Sequence, residues 1–286
     1  MSSWTPVPDS CEARALAFVR GASAGGPLDR SLRITLNFHP DRLHGGIPIL
    51  QVLATEGLYR SQFETGTSNG GLTAHVGGDR WRWESRMFSS AYDEALPDRR
   101  PKYGALNHLG RATGASPRFG SAHFRLRPEL AERASFCYPD SVFEPVHFGV
   151  HERCDLVAHA LGDDRDRLDD YVEAHIHGPL RLADDVEALV LDPCYRGTQV
   201  EQLARRLPCA LEWHPGFRLS LDALRQHTNY RGQEIVNLGM RLVRDGWLDP
   251  ACLGHAGIKG RDDPQQLKKV WHILARFGDL SAARHG

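Results

Sequence analysis

The sequence predicts an α+β protein, with its strands gathered in residues 28–210, a helix before them and helices after them. Three observations carry this prediction. Residues 32–39 and 171–178 alternate with period two, the pattern of half-buried strands. Residues 187–191 (Glu-Ala-Leu-Val-Leu) form a mostly apolar run, as a central strand does. From residue 215 onward the period lengthens to that of helices, in 219–226, 232–243 and 264–277. The expected organisation is therefore an N-terminal helix and linker (1–27), an α+β core (28–210) and a helical lobe (211–286).

In chain order, Asp9-Ser10-Cys11-Glu12 opens a helix, 13–20 continue it, and the small residues of 21–27 end it. The strand at 32–39 puts Leu32, Ile34, Leu36 and Phe38 on one face and Arg33, Thr35, Asn37 and His39 on the other. Pro40-Asp41-Arg42 turns the chain. Residues 47–56 read as a short amphipathic helix with Gly57 as its C-cap, and 58–63 as a second strand. Residues 65–71 (Thr-Gly-Thr-Ser-Asn-Gly-Gly) combine short donors with permissive backbone, which lets N–H groups approach a ligand; Asn69-Gly70 is equally a hairpin turn pair.

A strand is expected around Trp81 and Trp83, whose rings either stack on a flat ligand or pack in the core. Residues 99–107 and 118–126 read as strands, 128–135 as a short helix or turn, and Asp140 as a turn cap. A helix over 151–161 precedes a solvated charge run at 163–170. The strand at 171–178 then places Glu173, His175 and His177 on one face, opposite Val172, Ala174 and Ile176. A turn at 192–198 leads into a helix at 200–207 and a last strand at 211–214. Gly246, Pro250, Gly254 and Gly257 are read as breaks between the lobe helices. There is no internal repeat.

Composition narrows the function classes. The 286 residues carry a formal net charge of -1 with 25% charged residues, so no basic excess points to nucleic acid. An apolar content of 41% excludes wholesale disorder. No apolar run is long enough to span a membrane, and no secretory signal is visible. The six cysteines form no Cys-x-x-Cys pair and read as free thiols of a reduced compartment.

Three functional readings follow from the residues and stay open at this level. In the first, Glu173 is a lone carboxylate facing a cleft, with His39, Arg33 and the Thr67-Ser68 loop across from it. A carboxylate opposite hydrogen-bond donors suits an oxocarbenium-like transition state at a sugar carbon, as in breaking the nicotinamide–ribose bond of NAD. In the second, His175-x-His177 with Glu173 ligates a metal in a hydrolase, although no third and fourth ligand stands at recognisable spacing. In the third, the polar strands are merely solvated faces of a binding protein.

The order of these features resembles the PARP-like side of the ADP-ribosyltransferase superfamily. The matching pieces are ThrLeuAsnPheHis (35–39), IleLeuGlnValLeuAlaThrGluGlyLeu (49–58), GlyThrSer (66–68), MetPheSerSerAlaTyr (87–92) and TyrValGluAlaHisIle (171–176). More narrowly, NFHPDR, FETGTSNGG, RPKYGALN, RFGSAHF and EAHIHG resemble the bacterial CteC-type enzymes, which place ADP-ribose on a threonine of ubiquitin. The resemblance covers roughly residues 30 to 200.

It implies a pair of small β-sheets around an NAD cleft. It also implies NAD as substrate and a protein acceptor, ubiquitin at a threonine on the narrower match. The implied catalytic residues are Glu173, His39 and Asp41, the last chosen over Asp140 as the assisting aspartate. The implied NAD-binding residues are Arg33, Asn37, His39, Gly66, Thr67, Ser68 and Asn69, with Tyr92 and Tyr103 both open as the stacking tyrosine. No metal, nucleic acid or membrane is implied. Residues 211–286 become the candidate acceptor-docking region. The expected location is the cytoplasm, or a host cell reached as a bacterial effector without a classical signal peptide. The chain lacks a clear Glu-x-Glu or Gln-x-Glu ending, so arginine-directed transfer is not expected.

Overall fold

A computed structural model describes residues 4–66 and 74–281. Eight strands join one sheet: β1 (Ile34–Phe38), β2 (Lys102–Leu106), β3 (Ala122–Leu126), β4 (Ala134–Tyr138), β5 (His147–Val150), β6 (Val172–Ile176), β7 (Val186–Leu191) and β8 (Ala210–Trp213). Their order is β8-β7-β3-β1-β2-β6-β4-β5, antiparallel except for the parallel pair β7–β8. Among the described residues, three two-stranded ribbons accompany the sheet. The fold is mixed α+β.

The sheet has a seam. β1 pairs with β3 from Thr35 to Phe38, but with β2 only at Ile34–Leu106 and Thr35–Ala105. β2 itself pairs with β6 along its whole length, Lys102 to Leu106. Two four-stranded halves, β8-β7-β3-β1 and β2-β6-β4-β5, therefore meet at two residue pairs and part beyond them. The strands for which the sequence implies two separate small sheets form one sheet, divided at this junction. Gly104 permits the close approach there: a side chain on it would stand 2.8 Å from the Thr35 carbonyl oxygen.

The two faces of the sheet differ in chemistry. Ile34, Leu36, Phe38, Val172, Ala174 and Ile176 enter the main apolar core, covered by helix α2 (Ile49–Glu56). The other face of β4 and β6 is polar, and helices α1 (Cys11–Ala22) and α3 (Asp79–Met87) lie on that side. A second core holds Phe217 and Leu168 together with helices α4 (Gln233–Leu242), α5 (Pro250–Lys259) and α6 (Pro264–Phe277). The Trp271 indole of α6 ties this lobe to the sheet domain, donating to the carbonyls of Pro117 and Arg118 at 3.0 and 3.1 Å. Among the described residues, no helix is long and apolar enough to cross a membrane.

Most elements fall where the periodicity places them, including α2 with Gly57 in the left-handed conformation at its C-cap. Three expectations are corrected. The segment around Trp81 and Trp83 is helix α3, because Arg80, Glu84 and Met87 form the buried stripe at helical spacing. The strand expected over 58–63 stops at Tyr59, where Ser61 and Glu64 form a capping box that starts a helical turn. Gly254 and Gly257 do not break the lobe but lie within α5.

Candidate functional site

Strand register builds the polar cluster. On the shared face of β4 and β6, Cys137 stands opposite Glu173 and Ser135 opposite His175, while Tyr103 on β2 also stands opposite His175. The Glu173 carboxylate is buried. Its Oε1 meets His175 Nε2 at 2.9 Å, and its Oε2 accepts from the Ser141 hydroxyl at 3.2 Å. Ser141 in turn accepts from Arg80 Nη1 at 3.0 Å.

Behind His175 the bonds continue. Ser135 Oγ lies 3.2 Å from His175 Nδ1 and 2.8 Å from His177 Nε2, and His177 Nδ1 lies 2.6 Å from the Tyr92 hydroxyl. Phe88 sets its ring edge-on against both imidazoles, closing this region with hydrocarbon.

Burial raises the carboxyl pKa of Glu173, but the hydrogen bond from His175, the Arg80 charge and the Ser141 hydroxyl outweigh it. The net effect holds Glu173 below its ordinary value, as a carboxylate at neutral pH. Asp140 moves the other way. Burial and the nearby Glu173 charge push it up to about 6, against the hydrogen bond it accepts from Tyr171. Burial drives His177 down to about 3, so its imidazole is neutral. Burial also keeps the Cys137 thiol protonated, well above its ordinary value.

Arg80 is central to the charge balance. Its guanidinium lies 4.1 Å over the Tyr103 ring, and its Nε is buried with no hydrogen-bond partner among the described residues. Beneath it, Glu84 accepts from the Tyr103 hydroxyl at 2.8 Å and from Arg100 at 2.6 Å.

A cavity of about 770 Å³ opens where β1 and β2 part. Phe38 and His39 line one lip, Lys102 and Tyr103 the other, and Leu253, Lys268 and Trp271 close it from the lobe. Asp41, Arg42 and Arg60 also line it. His39 sits edge-on to Trp271 at 4.9 Å, and burial holds its pKa far below the ordinary value. Asp41 accepts from the Tyr195 hydroxyl at 2.8 Å, and burial pushes it up to about 6. Glu173 does not line the cavity. Tyr103 belongs to both regions, lining the cavity while its ring stands edge-on to His175 at 5.3 Å.

The candidate residues therefore sort into groups. His39, Asp41 and Tyr103 meet at the cavity, and Glu173 lies behind Tyr103 with Asp140 as the carboxyl that shares its field. Asn37 is occupied structurally, donating to the Thr113 and Gly120 carbonyls and accepting from the Ser116 amide. Arg33 pairs with Glu187 at 3.3 Å in a surface network on the far half of the sheet. Tyr92 is fully buried at His177, not at the cavity. Gly66 caps the helical turn Gln62–Thr65 in the left-handed conformation. Thr67, Ser68 and Asn69 lie outside the described residues.

The His175-x-His177 pair converges on the Ser135 hydroxyl and not on an open ligand position, since both imidazoles bond Ser135 and His177 turns its other nitrogen to Tyr92. Cys137, Glu173 and His175 do bring ligand-type atoms within 4.8 Å of one another, but His175 and Glu173 are hydrogen-bonded to each other and the thiol keeps its proton.

Sequence reasoning missed Arg80, Ser135, Cys137, Ser141, Tyr171, Lys268 and Trp271. Arg80 was legible in the helical spacing of 80, 84 and 87. Ser135 and Cys137 needed the pairing of β4 with β6, which no local pattern specifies.

A family model described as "Protein of unknown function (DUF3626)" matches residues 33–166 and 162–277. No curated protein matches the chain.

Proposed function

The chain belongs to the DUF3626 family, and we propose that it is an NAD-dependent mono-ADP-ribosyltransferase that modifies a protein side chain and releases nicotinamide. One observation carries this reading: the sheet halves part at His39 and Tyr103, and the resulting cavity adjoins a buried Glu173 held as a carboxylate. The ADP-ribosyltransferase-like arrangement of two small sheets about an NAD cleft corresponds, on this reading, to the two halves and their seam.

The cavity suits a dinucleotide. Its volume is within the range of ligand pockets, roughly 300–1,000 Å³. Trp271, Tyr103 and His39 offer rings for flat heterocycles, and Arg42, Arg60 and Lys268 offer cations for a pyrophosphate. The partnerless Nε of Arg80 marks a donor beside Glu173 with capacity to spare.

In the reaction the bond between ribose C1 and the nicotinamide nitrogen breaks, and its electron pair leaves with the nicotinamide. Positive charge develops at the ribose, which the Glu173 carboxylate stabilises. An acceptor hydroxyl then attacks C1 and loses its proton. Asp140, pushed up to about 6 and sharing the field of Glu173, is better placed to take that proton than Asp41, which lies at the cavity against the lobe. The lobe, residues 211–286, serves as the acceptor-docking region, and a threonine of ubiquitin is the acceptor to test first.

The test is incubation with NAD, following nicotinamide release and the intact mass of the acceptor. Glu173→Gln should keep the fold and lower turnover by about 10²–10³. Turnover within tenfold of the parent would remove Glu173 from the mechanism.

A further inference from the structure

The bonds that run from Tyr92 to Glu173 form a chain, and the proton inventory of that chain gives it a direction. The Tyr92 hydroxyl meets His177 Nδ1 and has no second partner among the described residues. Its proton therefore has one place to go, onto His177 Nδ1. Neutral His177 then carries its N–H on Nε2 and donates it to Ser135 Oγ. Ser135, accepting there, donates its own proton to His175 Nδ1. His175 must then carry its N–H on Nε2 and donate it to Glu173 Oε1. Every group donates once, and every proton points toward Glu173.

The opposite direction fails at the far end. If Glu173 were protonated toward His175, or if His175 were an imidazolium, His175 Nδ1–H would donate to Ser135, Ser135 to His177 Nε2, and His177 Nδ1–H to the Tyr92 oxygen. The Tyr92 hydroxyl would then be buried with no acceptor, which is among the costly arrangements in a protein interior.

We propose that Tyr92 is a positioning residue: by donating into this one-directional chain it holds His175 as the neutral Nε2–H tautomer, and so presents Glu173 as a hydrogen-bonded carboxylate. The inference rests on the reading of Glu173 as the reactive carboxylate for its functional meaning, though not for its geometry.

The groups that face the chain are few. Glu173 is faced by Arg80 from α3, by Tyr103 from β2, by Tyr171 beside β6, by Cys137 from β4 and by Asp140 and Ser141 from the turn after β4, and Tyr103 and Cys137 also face His175. His177 is faced by Glu12 of α1, Lys102 of β2 and Arg133. Tyr92 is faced by Glu12 and Cys11 of α1, Glu84 of α3 and Arg99. Burial and the neighbouring carboxyls keep the Tyr92 hydroxyl protonated, well above its ordinary pKa, so it stays a donor across the neutral range.

The test is ¹⁵N-detected histidine NMR on the full chain, which reads tautomer and charge without reference to turnover. In the parent, His175 and His177 should both be neutral Nε2–H tautomers. Tyr92→Phe removes the buried proton that enforces the direction. His175 should then populate the Nδ1–H form alongside the Nε2–H form. Ser135→Ala cuts the chain at its middle and should loosen the His175 tautomer in the same way, which covers the case of a Tyr92→Phe chain that does not fold.

Parent-like tautomers of His175 in both variants would overturn the proposal. If the parent consumes no NAD with any acceptor, the functional reading fails, and the tautomer spectra still decide the direction of the chain.

Discussion

The carboxylate of Asp41 occupies the space that a side chain on Gly254 would fill. Gly254 lies inside α5, where glycine is a poor helix former by roughly 1 kcal/mol against alanine. Its lack of a side chain lets the lobe helix close over the turn after β1. Gly254→Ala should therefore destabilise the protein, by about 1–3 kcal/mol in urea unfolding, where helix propensity alone would stabilise it. The loss should shrink when Asp41→Ala is combined with it. Additive effects would show that the two positions do not compete for the same space.

Asp41 also gives the protein a pH signature. Its folded-state pKa is raised to about 6, mainly by burial, against an unfolded value near 3.8. The folded state thus binds the proton more tightly, and stability from this group falls as pH rises between about 4 and 6. Asp41→Asn, which keeps an acceptor for Tyr195, should flatten that part of the curve and stabilise the protein at pH 7 by about 1–3 kcal/mol. Denaturation midpoints at pH 4.5 and 7, parent against variant, check it. A parallel pH dependence in the two proteins would contradict it.

Arg100 and Glu84 form an ion pair in which both side chains are almost wholly buried, 2% and 0% exposed. Arg100→Met leaves Glu84 with only the Tyr103 hydroxyl and a more distant Arg80, and should lower stability by about 3–5 kcal/mol. Replacing both with apolar residues of similar volume should recover most of that loss, because neither charge is then stranded. Thermal unfolding of the single and double variants gives the answer.

Trp271 joins the lobe to the 117–118 carbonyls through one indole N–H. Trp271→Phe should cost about 1–2 kcal/mol, since two buried carbonyls lose their donor. Hydrogen exchange should quicken in residues 117–120 and along α6, while β6 remains as protected as in the parent. Faster exchange spread evenly over the sheet would mean that the indole supports the whole core.

Local patterns carried much of this architecture. The alternation at 32–39 and 171–178 placed β1 and β6, and α6 runs from Pro264 to Phe277 as its periodicity predicts. The face carrying Glu173 and His175 was legible because period two separates faces without any tertiary information. What partners that face was not. Ser135 and Cys137 reach it by pairing across 36 to 40 positions of sequence. Arg80 reaches it from a helix whose tryptophans alternate by coincidence. The helix α5 was hidden because Gly254 serves a contact with Asp41, so its composition reports packing and not a break. The seam between β1 and β2 depends on where hydrogen bonding stops, which side-chain pattern does not encode.

The cavity draws its walls from two independently packed cores, one built on the sheet and one on the lobe helices. Glu173 and its supporting bonds belong entirely to the sheet side. Residues such as Ile258, Gln265 and Lys268 belong to the lobe side and touch none of them. On the proposed function, drift on the lobe would alter what is admitted while leaving Glu173 and its bonds intact, which would make the molecule modular in the evolutionary sense. New selectivity could then be written into one core without rewriting the other.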